Sequence, residues 1–405
     1  MNDQASAASK VNHANIVFLT HSGADSGAEQ SMVTYLSCWP RIEPRPLLLL
    51  GASGAIEPRA QAAGLDFRTL PLDPKAGATN RQERRISRLA ASLIGLLRHS
   101  TKVRRVLRDR SADVVVPISL KSLVFGWLAG RRAGTTVVWS LHDRVDRRYF
   151  SWFLVPALRY LVPRLVDGIL VNSRSTLATI RPGRTPVIVA TPAIALDPRE
   201  FHETGDEVRR VVMLARLSPW KGQDVFLRAF ARAFEGSPAE AFVVGGALFG
   251  ETAYEQSLKS LAAELGIADR VHFVGHVQDP WASLVDADVL VHASTIPEPF
   301  GQVVVQGLWA RCAVVASSPG GPAEVITDGV DGLLTPCGDV DALAAALERL
   351  RHDHDFRLSL ARHGHVTGGL YDAAVAAPVL DAWLANLHMG AVEPGSVRGV
   401  FPQRS

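Results

Sequence analysis

The chain has 405 residues, 47% hydrophobic and 20% charged, which is enough apolar material for two buried cores and too much for extended disorder. Its formal net charge of +3 leaves no electrostatic footprint for a nucleic-acid partner. Cys38, Cys312 and Cys337 are odd in number and far apart, matching neither a disulfide framework nor a zinc pattern, and read as reduced thiols of a cytoplasmic protein.

Residues 1–14 are polar, with no apolar core of signal-peptide length, and are expected to be a disordered N-terminus without a secretory signal. No stretch approaches the ~20 apolar residues that span a bilayer. The first strand is predicted at 15–20, closed by a glycine-bearing loop to Gly27, after which Met32, Leu36 and Trp39 recur at helical spacing. Further strands are predicted at 46–50, 67–70, 114–118, 136–140 and 168–173, with helical segments between them. Continuous apolar runs alternating with helices argue for an α/β architecture whose parallel sheet is buried on both faces.

Pro182, Pro186, Pro192 and Pro198 loosen the pattern around a short strand at 187–190, and 191–208 reads as a hinge. The alternation restarts with strands at 211–215, 241–245, 271–275, 289–292 and 313–316. Tyr254, Leu258, Leu261 and Leu265 give one apolar helix face, as do Leu343, Leu347 and Leu350. Residues 355–388 are predicted mostly helical, broken near Gly368 and Gly369, and 390–405 are expected to be a flexible tail. The domains expected are therefore 15–190 and 209–371 on either side of the hinge.

Chemistry concentrates in two loops. Pro297-Glu298-Pro299-Phe300-Gly301-Gln302 stands between the strand at 289–292 and an apolar helical run reaching Gln306. Arg216-Leu-Ser-Pro-Trp-Lys221-Gly-Gln223 follows another strand. In open α/β sheets ligands gather at such strand ends, beside helix N-termini that turn N–H groups outward. A carboxylate there can fix sugar hydroxyls, and an Arg/Lys pair can hold a diphosphate, Arg as a planar fork and Lys as a point charge. The plainer readings are a helix-capping Glu298 and a solvated turn. The pairs Asp286/Asp288, Asp339/Asp341 and Asp353/Asp355 precede a strand or fall in helical context, so no metal site is predicted.

The run Arg216–Gln223, then Glu298-Pro-Phe-Gly301, Gly320-Gly-Pro-Ala-Glu324 and Asp331-Gly-Leu-Leu334 resembles, in order and spacing, the family 4 glycosyltransferases. Ser26-Gly27-Ala28-Glu29 resembles that family's glycine loop, with Ser26 in place of a glycine. The resemblance implies the GT-B fold, two Rossmann-like doubly wound domains facing each other across a cleft. It implies transfer of a sugar, with retention and without metal or other cofactor, from a UDP- or GDP-linked donor to a small-molecule, glycan or lipid-linked acceptor.

Residue by residue, the resemblance implies that Glu298 holds the donor sugar while Arg216 and Lys221 clasp the diphosphate. Phe300, Gly301 and Gln302 would offer backbone N–H groups, Gly27 would let the donor approach, and His142 would position the reacting centre. The last helix, 372–388, would cross back to complete the N-terminal domain, with Pro378 a candidate kink. Two departures stand out. Gln306 replaces the second carboxylate of the family's Glu-x7-Glu pattern, though an amide can still bond a ribose hydroxyl. Pro192–Asp197 lacks the hinge motif's Asn-Gly.

Residues 81–110 are arginine-rich, with Glu83 and Asp109 the only acids. They read either as a basic amphipathic helix making a peripheral contact with an anionic membrane or as the solvated face of a domain helix. Tyr149–Val162 is apolar and aromatic, with Arg159 its only charge, and reads as a packed helix in preference to a membrane anchor, being too short to span. Two rival functions remain, a nucleotide-sugar epimerase of related fold and a bilobal sugar-binding protein without catalysis.

Overall fold

The structure, a computed structural model, describes residues 13–24, 27–40, 43–72, 86–247 and 251–400, apart from the side chains of 86–94. The chain divides into two compact units. The first comprises the chain up to Asn172, Thr176–Ala193 and everything from Ala373; the second holds Ser173–Ser175 and Ile194–Asp372.

In the first unit, strands β1 (Ile16–Thr20), β2 (Leu47–Leu50), β3 (Phe67–Thr69), β4 (Val114–Pro117), β5 (Thr136–Leu141), β6 (Gly168–Val171) and β7 (Val187–Val189) form a parallel sheet in the order β7-β6-β5-β4-β1-β2-β3. Side chains alternate across it, as period 2 requires. Ile16, Phe18, Leu48, Leu50, Val114 and Val116 feed one core, while Val17, Leu19, Leu47, Leu49 and Val115 feed the other. Burial on both faces explains the unbroken apolar runs.

The helix Ala373–His388 covers the first face with Ala376, Ala377, Leu380, Trp383 and Leu384, and it runs unbroken through Pro378. The second face is covered by Leu120–Ala133 and by Ile86–Asp109, which buries Val103, Val106 and Leu107. In its described part, the arginine-rich segment thus spends its apolar side on the core and leaves Lys102, Arg105 and Arg108 exposed. Residues 81–85 and the side chains of 86–94 lie outside the described residues.

The second unit carries β8 (Arg210–Leu214), β9 (Glu240–Val244), β10 (Val271–Gly275), β11 (Val289–His292), β12 (Ala313–Ser318) and β13 (Leu333–Pro336), all parallel in the order β10-β9-β8-β11-β12-β13. Phe226, Phe230 and Phe234, at i, i+4 and i+8 of one helical stretch, anchor one face with Val211, Met213 and Val243. The other face is closed by helix Gln302–Trp309, whose Gly307 lets it press onto Leu290. Ile194–Val208, the larger part of the stretch read as a hinge, groups with this unit through His202 N–H to the Val285 carbonyl (2.9 Å) and Thr204 Oγ1 to Asp288 (3.0 Å).

The tail departs from its expectation. Val397–Gly399 forms a further strand, β14, parallel to β7 at the sheet edge. Val187 N–H donates to the Ser396 carbonyl (2.9 Å) and Val400 N–H to the Val189 carbonyl (3.0 Å). An edge strand offers unpaired backbone groups, and these recruit a segment whose Gly/Pro content reads as loop. Among the described residues no helix is long and apolar enough to cross a membrane.

Candidate active site

In the second sheet, β8 leads outward to β9 and β10, while its neighbour β11 leads the other way to β12 and β13. The strand order therefore reverses between β8 and β11, and such a switch point is where an open α/β sheet receives its ligand. The two motif loops follow these two adjacent strands. Sheet topology alone brings residues 216–223 beside residues 293–301.

Backbone contacts hold the loops together. Thr295 N–H donates to the Trp220 carbonyl at 2.9 Å. Lys221 ends a single 3-10 turn, Pro219–Lys221, and Gly222 follows at φ 74°. A Cβ at Gly222 would run into the Ala293 carbonyl, so glycine serves both the left-handed turn and the close approach. Gly301, at φ 87°, starts the helix Gln302–Trp309. Gly321 N–H donates to the Glu298 carbonyl at 2.8 Å, so the glycine motif after β12 braces the carboxylate loop from behind.

Glu298 is the centre of the site. Its Oε1 lies 2.6 Å from Lys221 Nζ; its Oε2 lies 2.7 Å from His292 Nε2 and accepts from Ser294 Oγ at 2.6 Å. The side chains of Glu298, Lys221 and His292 are 12%, 14% and 3% exposed. Ser317 N–H donates to His292 Nδ1 (3.4 Å), with Ser317 Oγ 3.0 Å from the same atom. An accepting Nδ1 leaves the ring proton on Nε2, so the hydrogen-bond network assigns His292 as a donor to Glu298. Burial alone would raise the Glu298 carboxyl; Lys221 and His292 outweigh it and hold the group well below the usual carboxylate range. Glu298 is thus a buried anion with three donors.

Arg216 lies in the same loop but faces another carboxylate, with Nη1 3.3 Å from Glu251 Oε2 and the guanidinium 5.6 Å from the Trp220 ring centre. Buried Gln223 fixes the loop by donating to the Arg216 carbonyl at 3.0 Å. Phe300 puts its ring in the interior, 3% exposed and 6.2 Å from the Tyr371 ring, so only its backbone faces the loop. Gln302 and Gln306 stand one turn apart on the following helix, both half-buried. Asp288, of the Asp-x-Asp pairs, accepts from Thr204 Oγ1 and from the N–H groups of Arg209 and Arg210, a structural use.

His142 and Gly27 belong to the first unit. His142 follows β5; its Nε2 is 2.9 Å from Ser140 Oγ and its carbonyl accepts from Asn172 Nδ2 at 2.7 Å. Burial pushes the imidazole down to about 4, so it is neutral near pH 7. Gly27 opens the helix Gly27–Ser37, where buried Glu29 accepts from Thr20 Oγ1 at 2.9 Å.

Sequence reasoning missed His292, Ser294 and Glu251. His292 ends a buried strand and reads as one of its core positions. Its separation of six residues from Glu298 around a proline-flanked turn was the only available signal.

Two family models match the chain in succession, the glycosyl transferase 4-like domain over residues 19–187 and glycosyl transferases group 1 over residues 197–365. A D-inositol 3-phosphate glycosyltransferase of Thermomonospora curvata is 30% identical over 62% of this chain and 66% of its own length. The lipopolysaccharide core biosynthesis glycosyltransferase LpsE of Rhizobium meliloti is 36% identical over 30% of this chain and 35% of its own length. The matches thus span about a third to two thirds of these relatives. Among solved structures, Anabaena Alr3699/HepE in complex with UDP and glucose has a TM-score of 0.77 at 25% identity, covering 94% of this chain and all of that one. Sucrose-phosphate synthase from Thermosynechococcus elongatus, with a TM-score of 0.72 at 18% identity over 94% of this chain and all of that one, shares the fold. The chain belongs to the glycosyl transferases group 1 family and has its GT-B fold of two Rossmann-like domains.

Proposed function

We propose that this chain transfers a sugar from a nucleotide-sugar donor to an acceptor hydroxyl, retaining the anomeric configuration and using no metal ion. The observation that carries the reading is Glu298, a buried carboxylate kept ionised by Lys221 and His292 at the switch point of the second sheet. An anion so fixed accepts hydrogen bonds from sugar hydroxyls and orients the ring before reaction. A departing nucleoside diphosphate develops negative charge, and Lys221 with Arg216 supplies cations to meet it. His142, neutral near pH 7 and a poor base, suits positioning of the reacting centre; the leaving phosphate can take the acceptor proton.

The UDP and glucose held by Anabaena HepE support a uridine nucleotide as the first donor to test. The named relatives act on an inositol phosphate or in lipopolysaccharide core biosynthesis, which keeps small-molecule, glycan and lipid-linked acceptors in view. A cytoplasmic setting fits such a donor. The experiment is incubation with labelled UDP-glucose, UDP-N-acetylglucosamine and GDP-mannose against an acceptor panel, with product anomers read by NMR. The reading expects a retained linkage that survives EDTA. An inverted product overturns retention, and loss restored by magnesium or manganese overturns metal independence. An epimerised donor, or binding without turnover, points to the rival functions.

A further inference from the structure

Each cation of the motif loop faces its own carboxylate, and the two pairs are built differently. Lys221 meets Glu298 at 2.6 Å, where His292 and Ser294 hold the carboxylate in place. Arg216 meets Glu251 through Nη1, 3.4 Å from Oε1 and 3.3 Å from Oε2. A guanidinium grips a carboxylate best as a fork, two nitrogens on two oxygens. Arg199 does this to Asp197 in the same unit, with Nε and Nη2 each at 2.7 Å. At Glu251 one nitrogen is shared by both oxygens at long range, and the two side chains are 35% and 22% exposed. The Arg216–Glu251 pair is loose.

The backbone beneath the pair is fixed. Ala215 N–H donates to the Val244 carbonyl (2.9 Å) and Leu217 N–H to the Gly246 carbonyl (3.0 Å), so the Arg216 loop continues the pairing of β8 with β9. A Cβ at Gly245, φ 144°, would strike the Ala215 carbonyl, and glycine permits this approach. Glu251 directly precedes the helix Thr252–Glu264, yet its side chain makes no capping bond there and turns to Arg216 instead. The 13-residue helix still presents its positive end to that carboxylate. Glu251 therefore keeps electrostatic support when Arg216 leaves it, and the exchange needs only side-chain rotation.

We propose that Glu251 is an exchangeable counterion of Arg216, displaced by the diphosphate when a nucleotide binds. The proposal rests on the reading of Arg216 as a diphosphate ligand. Phosphate offers the guanidinium the fork that Glu251 does not make. A strut that aimed Arg216 at phosphate would instead be a close fork, like that of Asp197 on Arg199. The two cations also crowd one ring, since the Trp220 centre is 5.6 Å from the Arg216 guanidinium and 4.2 Å from Lys221 Nζ. Glu251 offsets their repulsion. By competing for Arg216 it limits how tightly diphosphates are held, which favours release of the nucleotide product.

The test is calorimetry with whichever of UDP, GDP and ADP the wild type binds best, set beside its nucleoside. Glu251→Gln should tighten the diphosphate about fivefold, the upper end of what a partly exposed ion pair contributes, and leave the nucleoside unchanged. The gain should shrink as salt is raised and vanish in an Arg216→Gln background, because it acts through that guanidinium. Retained nucleoside affinity and an unchanged unfolding midpoint show that the variants stay folded. Weaker diphosphate binding by Glu251→Gln makes Glu251 a strut and overturns the proposal. An equal gain in the Arg216→Gln background overturns it too, by taking Arg216 out of the effect. If Arg216→Gln weakens the diphosphate while Glu251→Gln changes nothing, the proposal fails alone. If Arg216→Gln binds the diphosphate as the wild type does, the reading of Arg216 fails first and the proposal falls with it.

Discussion

Lys221 Nζ lies 2.6 Å from Glu298 Oε1, and this ion pair joins the loops that follow the two strands at which the second sheet reverses its order. The cation assigned to phosphate and the carboxylate assigned to sugar are therefore one buried unit. Removing one member of such a pair strands the other charge, a loss of about 3–5 kcal/mol. Lys221→Ala should lower unfolding stability by that order, and Lys221→Met combined with Glu298→Leu should recover at least half of it. Denaturant midpoints decide the matter; additive losses would mean the two charges are not coupled.

His292→Phe removes a donor from Glu298 while keeping the ring buried. A hydrogen bond to a charged group contributes about 1.5–3 kcal/mol, so kcat/KM should fall roughly ten- to a hundredfold. The pH profile carries the diagnostic. Glu298 is depressed in the folded chain, so its contribution is present above the ordinary carboxylate range and is lost only as pH falls through the depressed value. Without His292 that value rises and the acid limb should move to higher pH. A uniform loss at every pH would leave His292 a packing residue only.

Two histidines of the first unit set a trend of the same sign, already at mildly acid pH. Burial pushes His142 and His99 down to about 4, with Lys102 adding to the effect at His99. Neither ring nitrogen of His99 has a hydrogen-bond partner among the described residues, and its ring packs edge to face on Phe125 at 4.7 Å. The unfolded chain binds protons near 6.5 and the folded one does not, so stability falls as pH drops from about 6.5 toward 4. Each histidine should contribute a loss of about 2 kcal/mol between pH 7 and 5. His99→Phe should remove its share, measured as unfolding free energy at the two pH values; an unchanged slope would contradict the assignment.

Gln306→Glu tests the departure from the family pattern. If Gln306 meets the ribose, a carboxylate there should change nucleotide affinity by about 1 kcal/mol, equally for UDP and its sugar. Nucleotides lacking both ribose hydroxyls should not distinguish the two proteins by calorimetry; if they do, position 306 does not touch the ribose.

Much of this was legible in the chain. Runs such as Val114–Pro117 and Ala313–Ser318 announce strands buried on both faces, and the spacing of Leu343, Leu347 and Leu350 announces a helix. β13 and β14 escaped notice because four residues ending in Pro336 and three in a Gly/Pro-rich tail carry too little pattern, and their partners supply the rest. At the site, Glu298 and Lys221 stand out because each sits in a charged turn after a strand. Their direct pairing did not, because it depends on which strands are neighbours. His292 was hidden because a strand position records burial and not the carboxylate it faces.

The most direct measurement is the kinetics of Glu298→Gln with a competent donor and acceptor, set beside its affinity for the nucleoside diphosphate. The account predicts a fall in turnover of about 10²–10³, the size of one transition-state contact. Nucleoside diphosphate affinity should not fall, because loss of the carboxylate charge releases Lys221 toward phosphate. Wild-type turnover, or a parallel loss of nucleotide binding, would contradict the role given to Glu298.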